Sequence, residues 1–452
     1  MRGLVALLAL LISGSLAVPV TAADSITFGT PSAQARVGQP LEFSTTFDSD
    51  EQPERVELVF SIPGERAVNV LVADVAGGNG QWRASVELAG HTVPNTTFEY
   101  HFRARGADGW TSGPRSQVTV VHDRFDWRTV EGSLVRLHWY EGSEAFGQRA
   151  LEIGEEAVRR ASELLGVTET EPIDFFIYAS QPDMYEALGT GTRENVGGQA
   201  HSEIRTMFGL IEPSEINSDW VDTLVAHELT HLVFDTATNN PYRLPPRWLN
   251  EGVAVYLSEG YTTSWRLTVE QAARDDALIP LDGLGGLFPT PVDQFRLAYG
   301  ESVSAVDYFV RTYGEESLWQ LVRSYAQGLS DDEAFSAAID TDLAGFNAAW
   351  MGSLGVDVPS PYGPQPAPPG PVPADWQDQP AGSPAPSPTD PGVPAQTPLS
   401  TPDPSPPRPA GDNEPLSVLA LVAAGVLLAA VGGVLVMRRR PEADQERPPT
   451  AR

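Results

Sequence analysis

The run His227-Glu228-Leu229-Thr230-His231, followed by Trp248-Leu249-Asn250-Glu251-Gly252, decides how the central part of this 452-residue chain is read. Two histidines four positions apart on a helix point the same way and can grip one metal ion. The glutamate between them can act as a general base, and a later glutamate can supply a third ligand. The helix is expected to begin near Ser218, a favourable N-cap residue. Trp220, Leu224, His227 and His231 then share one stripe, so both imidazoles face inward beside apolar side chains. Pro245-Pro246 can open a second helix, with Glu251 one turn in and Gly260 available to close it. Glu251 lies 20 positions beyond His231, a loop that lets two helices cross and brings the carboxylate to the open side of the histidine pair. Two neutral imidazoles and one carboxylate leave a fourth position for water. A zinc hydrolase with one Zn2+ per chain is the expectation, with Glu228 taking the proton of that water.

Composition narrows the alternatives. There is no cysteine, so the chain holds neither a disulfide framework nor a thiolate metal site, and any metal must be bound through nitrogen and oxygen. The formal charge is −31, from 60 acidic and 29 basic residues, and every Lys-or-Arg position is an arginine. Such a chain repels nucleic acid and anionic lipid, which argues against both as partners.

The two metal segments resemble those of the gluzincin metallopeptidases. Arg247-Trp248-Leu249-Asn250-Glu251-Gly252-Val253-Ala254 is similar to the family-M1 aminopeptidases and to shorter relatives with a peptidase MA-like domain. The resemblance covers roughly residues 130 to 355. It implies that His227, His231 and Glu251 bind zinc and that Glu228 is the base. It also implies a tyrosine donor to the oxyanion; Tyr299, ahead of a helix-like run from Val303 to Tyr313, is the candidate. A metzincin would need a histidine where Ala237 stands. Two departures stand out. The Gly-x-Met-Glu-Asn motif that holds a free amino terminus in M1 enzymes has no counterpart, since Gly197-Gly198-Gln199-Ala200-His201 does not match it. Val255 stands where thermolysin-like enzymes have an aspartate that orients a histidine, which leaves Asp235 as a candidate for that role. Internal peptide cleavage is therefore favoured over aminopeptidase action. The substrate is expected to lie along a strand at Thr206 to Ile211, with Glu194 or Glu203 as other possible anchors for an amine.

The flanking regions give the organisation. Residues 1–23 read as a secretory signal peptide. Residues 24–124 show short alternating strands, as in Leu41 to Phe47, Arg55 to Phe60, Trp82 to Leu88 and Phe98 to Arg103, separated by Gly, Pro and Asn clusters. They predict an all-β sandwich of immunoglobulin or fibronectin III-like pattern. Residues 125–357 put strands first (Leu134 to Tyr140, Ile173 to Tyr178, Thr206 to Ile211) and helices after them. They are expected to form an α+β zincin-like metallopeptidase domain, with a helix from Ala145 to Leu165. Residues 358–414 form a Pro-rich, disordered stalk, 415–437 a transmembrane helix and 438–452 a cytoplasmic tail beginning Arg438-Arg439-Arg440. The arginines place the tail inside and the body outside, at a bacterial surface.

The expectation is thus a membrane-anchored extracellular zinc metallopeptidase acting on peptides or proteins. The alternative is a catalytically inactive zincin-like envelope adhesion or binding protein. A zinc hydrolase of some other bond is a third reading.

Overall fold

In the computed structural model the described residues are 26–64, 67–189, 197–240 and 244–359. The segments expected to be a signal peptide, a transmembrane helix at 415–437 and a tail, and nearly all of the expected stalk, lie outside them. Among the described residues no helix is long and apolar enough to cross a membrane.

The first ten strands are β1 (Thr27–Phe28), β2 (Ser32–Gln34), β3 (Leu41–Asp48), β4 (Arg55–Ser61), β5 (Asn69–Val72), β6 (Asp74–Gly78), β7 (Gln81–Leu88), β8 (Thr97–Gly106), β9 (Gly109–Ser112) and β10 (Ser116–Thr119). They form two antiparallel sheets. One runs β1-β3-β7-β6 with β2 beside β3; the other runs β10-β8-β4-β5 with β9 beside β8. Alternation decides which face is covered: Leu41, Phe43, Thr45 and Phe47 of β3 are buried, and the residues between them are not. Phe43 of the first sheet meets Phe60 and Tyr100 of the second at ring-centroid distances of 6.3 and 4.9 Å. The two inner faces therefore share one core, which is the sandwich expected.

The next part is built on a third sheet of β11 (Arg128–Glu131), β12 (Val135–Trp139), β13 (Ile173–Tyr178), β14 (Gly198–His201) and β15 (Thr206–Leu210), in the order β11-β12-β13-β15-β14. β12, β13 and β15 are parallel, and β11 and β14 are antiparallel edges. Between them come helices α1 (Glu144–Leu165) and α2 (Gln181–Leu188); then follow α3 (Asp219–Thr238), α4 (Arg247–Ser258), α5 (Thr263–Arg274), α6 (Val292–Tyr313), α7 (Glu315–Ala326), α8 (Asp331–Ile339) and α9 (Leu343–Ser353). Ser143 caps α1 by accepting the Phe146 N–H, and Gly166 ends it in the left-handed region. The buried face of α1 includes Ala150, Ile153, Ala157, Ala161 and Leu165, with Leu151 and Leu164 partly covered beside it.

Two expectations are corrected. β15 is an inner strand with β13 on one side and β14 on the other, so its edges are taken and no peptide can add to it. The free edge beside the helices is β14, which the sequence reading did not identify as a strand. Tyr299 does not precede its helix but sits two turns inside α6.

The sandwich is seated on the third sheet by polar contacts. Asn95 donates to Asp174 Oδ2 at 3.1 Å and to Thr206 Oγ1 at 2.8 Å, and His91 Nε2 donates to the Ala187 carbonyl at 2.8 Å. His122 Nδ1 and the Tyr178 hydroxyl share a 3.0 Å hydrogen bond, and Arg124 pairs with Asp183 and Glu186.

Within α6 the Glu301 carboxyl is fully buried. Oε1 accepts the Ile279 N–H at 3.0 Å and Oε2 has no partner. Burial raises its pKa well above the usual carboxylate range. A carboxyl raised on folding stabilises the fold fully below its unfolded pKa, and that contribution is lost as pH rises through the folded pKa. Glu301→Gln removes this titration. The melting temperature of the variant relative to wild type is expected to rise from pH 5 to pH 8; a difference independent of pH would contradict a neutral Glu301.

Candidate metal centre

α3 starts after Ser218, whose side chain makes no capping bond; Asp219 and Asp222 in its first turn favour the positive end of the helix dipole. Asp222 also accepts from Arg149 of α1 at 3.0 Å, fixing α3 against the neighbouring helix. Helical periodicity then places His227 and His231 side by side, with their Nε2 atoms 3.2 Å apart. α4 starts after Pro246, and Trp248, fully buried against Phe335 and Phe346, anchors it. A Cβ on Gly252 would stand 2.5 Å from the Ser302 carbonyl oxygen, so α4 and α6 cross this closely only because that position is glycine.

The packing of α4 on α3 brings Glu251 Oε2 to 3.5 Å from His227 Nε2 and 3.6 Å from His231 Nε2. One donor atom from each of the three residues lies within 4.8 Å of the others, and among the described residues this is the one group of three or more such side chains spaced to hold a metal ion. Glu251 Oε2 is buried and has no hydrogen-bond partner. A buried orphan carboxylate oxygen facing two imidazole nitrogens fits a metal ligand set, because a cation would satisfy it. The other oxygen, Oε1, accepts from Arg247 Nε at 3.1 Å and Nη2 at 3.0 Å. Burial alone would raise the Glu251 carboxyl, but His227, His231 and Arg247 outweigh it and hold the pKa at about 2. Burial works to lower His227, but Glu251 and Glu228 prevail and raise it. The pocket therefore favours positive charge between its imidazoles and carboxylate. His231 Nδ1–H donates to Asn250 Oδ1 at 2.8 Å, which leaves its Nε2 lone pair aimed at the centre.

A cavity of about 370 Å³ opens on this group. It is lined by His227, Glu228, His231, Glu251 and Tyr299, together with Gly198, Gln199 and Ala200 of β14 and with Ser202, Asp235, Arg247 and Asn250. All five residues singled out by sequence thus share one wall system. Gly198 is needed for clearance. A Cβ there would lie 2.8 Å from Glu228 Cγ, so only glycine lets the strand pass over the Glu228 side chain. Tyr299 packs on Phe288 and Phe295 with its ring centroid 6.4 Å from that of His227. Burial, and after it the Glu251 charge, raise the Tyr299 pKa, so its hydroxyl stays protonated and able to donate.

The remaining candidates take other roles or places. Asn250, not Asp235, orients His231. Asp235 lines the cavity beside Ser202, and burial raises its carboxyl. Glu203 bonds His201 at 3.1 Å and lines a separate space at the seam with the sandwich, away from the metal group. Glu194 lies outside the described residues. Sequence reasoning missed Arg247 and Asn250 as supports. Their signal was positional: Arg247 is one helical turn before Glu251, on the same face.

Residues 153–355 match the model of the peptidase MA superfamily. This match and the relatives below support a gluzincin, M1-like domain in this part of the chain. This domain is 27% identical over 183 residues to aminopeptidase M1-A of Oryza sativa subsp. japonica, covering 39% of this chain and 20% of that protein. It is 27% identical over 199 residues to aminopeptidase M1 of Arabidopsis thaliana, covering 42% of this chain and 22% of that protein. The chain thus spans about a fifth of the length of these curated relatives. A solved M1 zinc metallopeptidase from Deinococcus radiodurans aligns over 76% of this chain and 98% of its own at 14% identity, with a TM-score of 0.35.

Proposed function

We propose that the protein is a zinc metallopeptidase that hydrolyses peptide bonds, with one Zn2+ held by His227, His231 and Glu251. The observation that carries this reading is the orphaned Glu251 Oε2 facing two imidazoles in a cavity that also holds Glu228. When bound, zinc polarises the scissile carbonyl and acidifies a water molecule. Glu228 accepts the proton of the attacking water and passes it to the departing nitrogen. The Tyr299 hydroxyl donates to the carbonyl oxygen as negative charge develops there. Asn250 keeps His231 in the tautomer whose Nε2 is free. A role as an inert adhesion module leaves the pairing of Glu228 with an open ligand set unexplained.

An extended substrate adds to β14, the sheet edge that lines the cavity. Cleavage within peptides is the favoured specificity. β14 lines the cavity with Gly198, Gln199 and Ala200 and brings no glutamate of a Gly-x-Met-Glu-Asn motif to it, and an unpaired buried ammonium costs several kcal/mol. Asp235 supports a second reading. Its carboxyl lines the same cavity and could receive a substrate amine from α3, and both curated relatives carry the name aminopeptidase. The same peptide with a free and with an acetylated amino terminus separates the two. Cleavage of both forms is expected; release of single residues from the free form alone would establish the aminopeptidase reading.

The body is further proposed to face outward, held by the apolar span at 415–437 with Arg438, Arg439 and Arg440 inside, at a bacterial surface. The strand order of the two N-terminal sheets supports an immunoglobulin-like sandwich, which here serves as a seat for the catalytic sheet. Run on intact cells with the peptide outside, the same assay tests orientation: hydrolysis that appears only after the cells are opened would contradict it.

A further inference from the structure

We infer that Arg247 is a positioning residue that fixes Glu251 as a one-oxygen ligand, so that the metal keeps an open position for chemistry. This inference rests on the zinc-metallopeptidase reading and deepens it.

The geometry is specific. Two nitrogens of one guanidinium, Nε and Nη2, converge on the same Glu251 oxygen, Oε1, at 3.1 and 3.0 Å. The other oxygen, Oε2, is the one within 3.6 Å of both imidazoles, and it is free of hydrogen bonds. A carboxylate has a choice between binding a cation through one oxygen or through both. Occupying Oε1 with two charge-assisted hydrogen bonds makes two-oxygen binding cost those bonds. The guanidinium is itself held. Its stem belongs to α4 one turn before Glu251, its charged face lies 4.8 Å from the centroid of the Phe288 ring, and the Tyr299 side chain adjoins it. Arg247 therefore links the ligand carboxylate to the wall that carries Tyr299. Lysine could supply the charge but not two donors fixed in one plane.

Arg247 also balances charge. Glu251, Glu228 and Asp235 bring three carboxyl groups into one small cavity, and Arg247 is the permanent cation among the residues that line it. Removing it would free Glu251 to turn Oε1 inward and would leave the site more negative.

The test uses the full-length protein with zinc and with cobalt(II). Cobalt absorption in the visible weakens as coordination number rises, so it reports how many ligand atoms surround the ion. Arg247→Met is expected to weaken the cobalt bands relative to wild type. It should also raise the zinc dissociation constant by about 10–100-fold, the scale for a lost hydrogen bond to a ligand. Arg247→Lys keeps a positive charge beside Glu251, and it decides the matter if the methionine variant fails to fold by circular dichroism. It is expected to restore part of the affinity but not the wild-type spectrum. Wild-type spectrum and affinity in the folded variant would overturn the inference alone. A wild-type protein that takes up no metal would overturn the zinc reading and this inference with it.

Discussion

Glu228→Gln is expected to lower peptide hydrolysis by at least about 10²-fold while leaving the zinc content and the fold unchanged. The carboxylate lies on the helix that carries both histidines, in the same cavity, and none of the three proposed ligand atoms belongs to it. An amide of the same shape keeps the packing beneath Gly198, where the side chain passes close under β14. What it loses is the ability to take a proton from water and return it to the leaving nitrogen. Steady-state hydrolysis of a quenched peptide, with metal analysis on the same preparation, checks this. Full activity in the zinc-loaded variant would remove Glu228 as the base.

The second large effect is expected at His231. His231→Ala deletes one of three ligands and also breaks the 2.8 Å hydrogen bond that Asn250 makes to its ring. The loss of zinc affinity should exceed the ~10–100-fold that follows from removing a supporting hydrogen bond alone. Hydrolysis should fall with it. The fold should persist, because the apolar faces of α3 and α4 pack on Leu229, Val233, Trp248 and Val253 and not on the metal. Zinc measured after dialysis, beside a thermal melt, separates loss of metal from loss of structure. Retention of one zinc per chain in the variant would show that the ion sits elsewhere.

Much of this site was legible from sequence because its parts are local. A histidine pair at i and i+4 needs only a helix to become a ligand pair, and Pro245-Pro246 announced where the next helix begins. Tyr299 was legible only through a resemblance, and its place in the helix was misread. The helix was expected only from Val303, with Gly300 ahead of it. In the fold Gly300 lies inside α6, where Trp265 and Val269 pack 3.3 Å from the position of a Cβ, so helix packing outweighs the low helical preference of glycine. β11 and β14 were missed for a different reason. Arg128-Thr129-Val130-Glu131 and Gly198-Gln199-Ala200-His201 have little apolar alternation, and each is a strand because a neighbour pairs with it. The order of the third sheet followed no local signal, which is why β15 was taken for an edge. Arg247 was visible as a letter in the motif, one turn before Glu251 on α4, but that its hold leaves the other Glu251 oxygen facing two imidazoles exists only once α4 has packed on α3.

The central claim is that one zinc ion at His227, His231 and Glu251 makes this protein a peptidase. Its most direct test is to strip the wild-type protein with a chelator and titrate zinc back while following hydrolysis of an acetylated peptide. Activity that is absent without zinc and rises to a plateau at one equivalent per chain is the predicted result. Peptide hydrolysis that survives complete removal of metal, or zinc uptake with no hydrolysis of any peptide in a mixed library, would contradict the account.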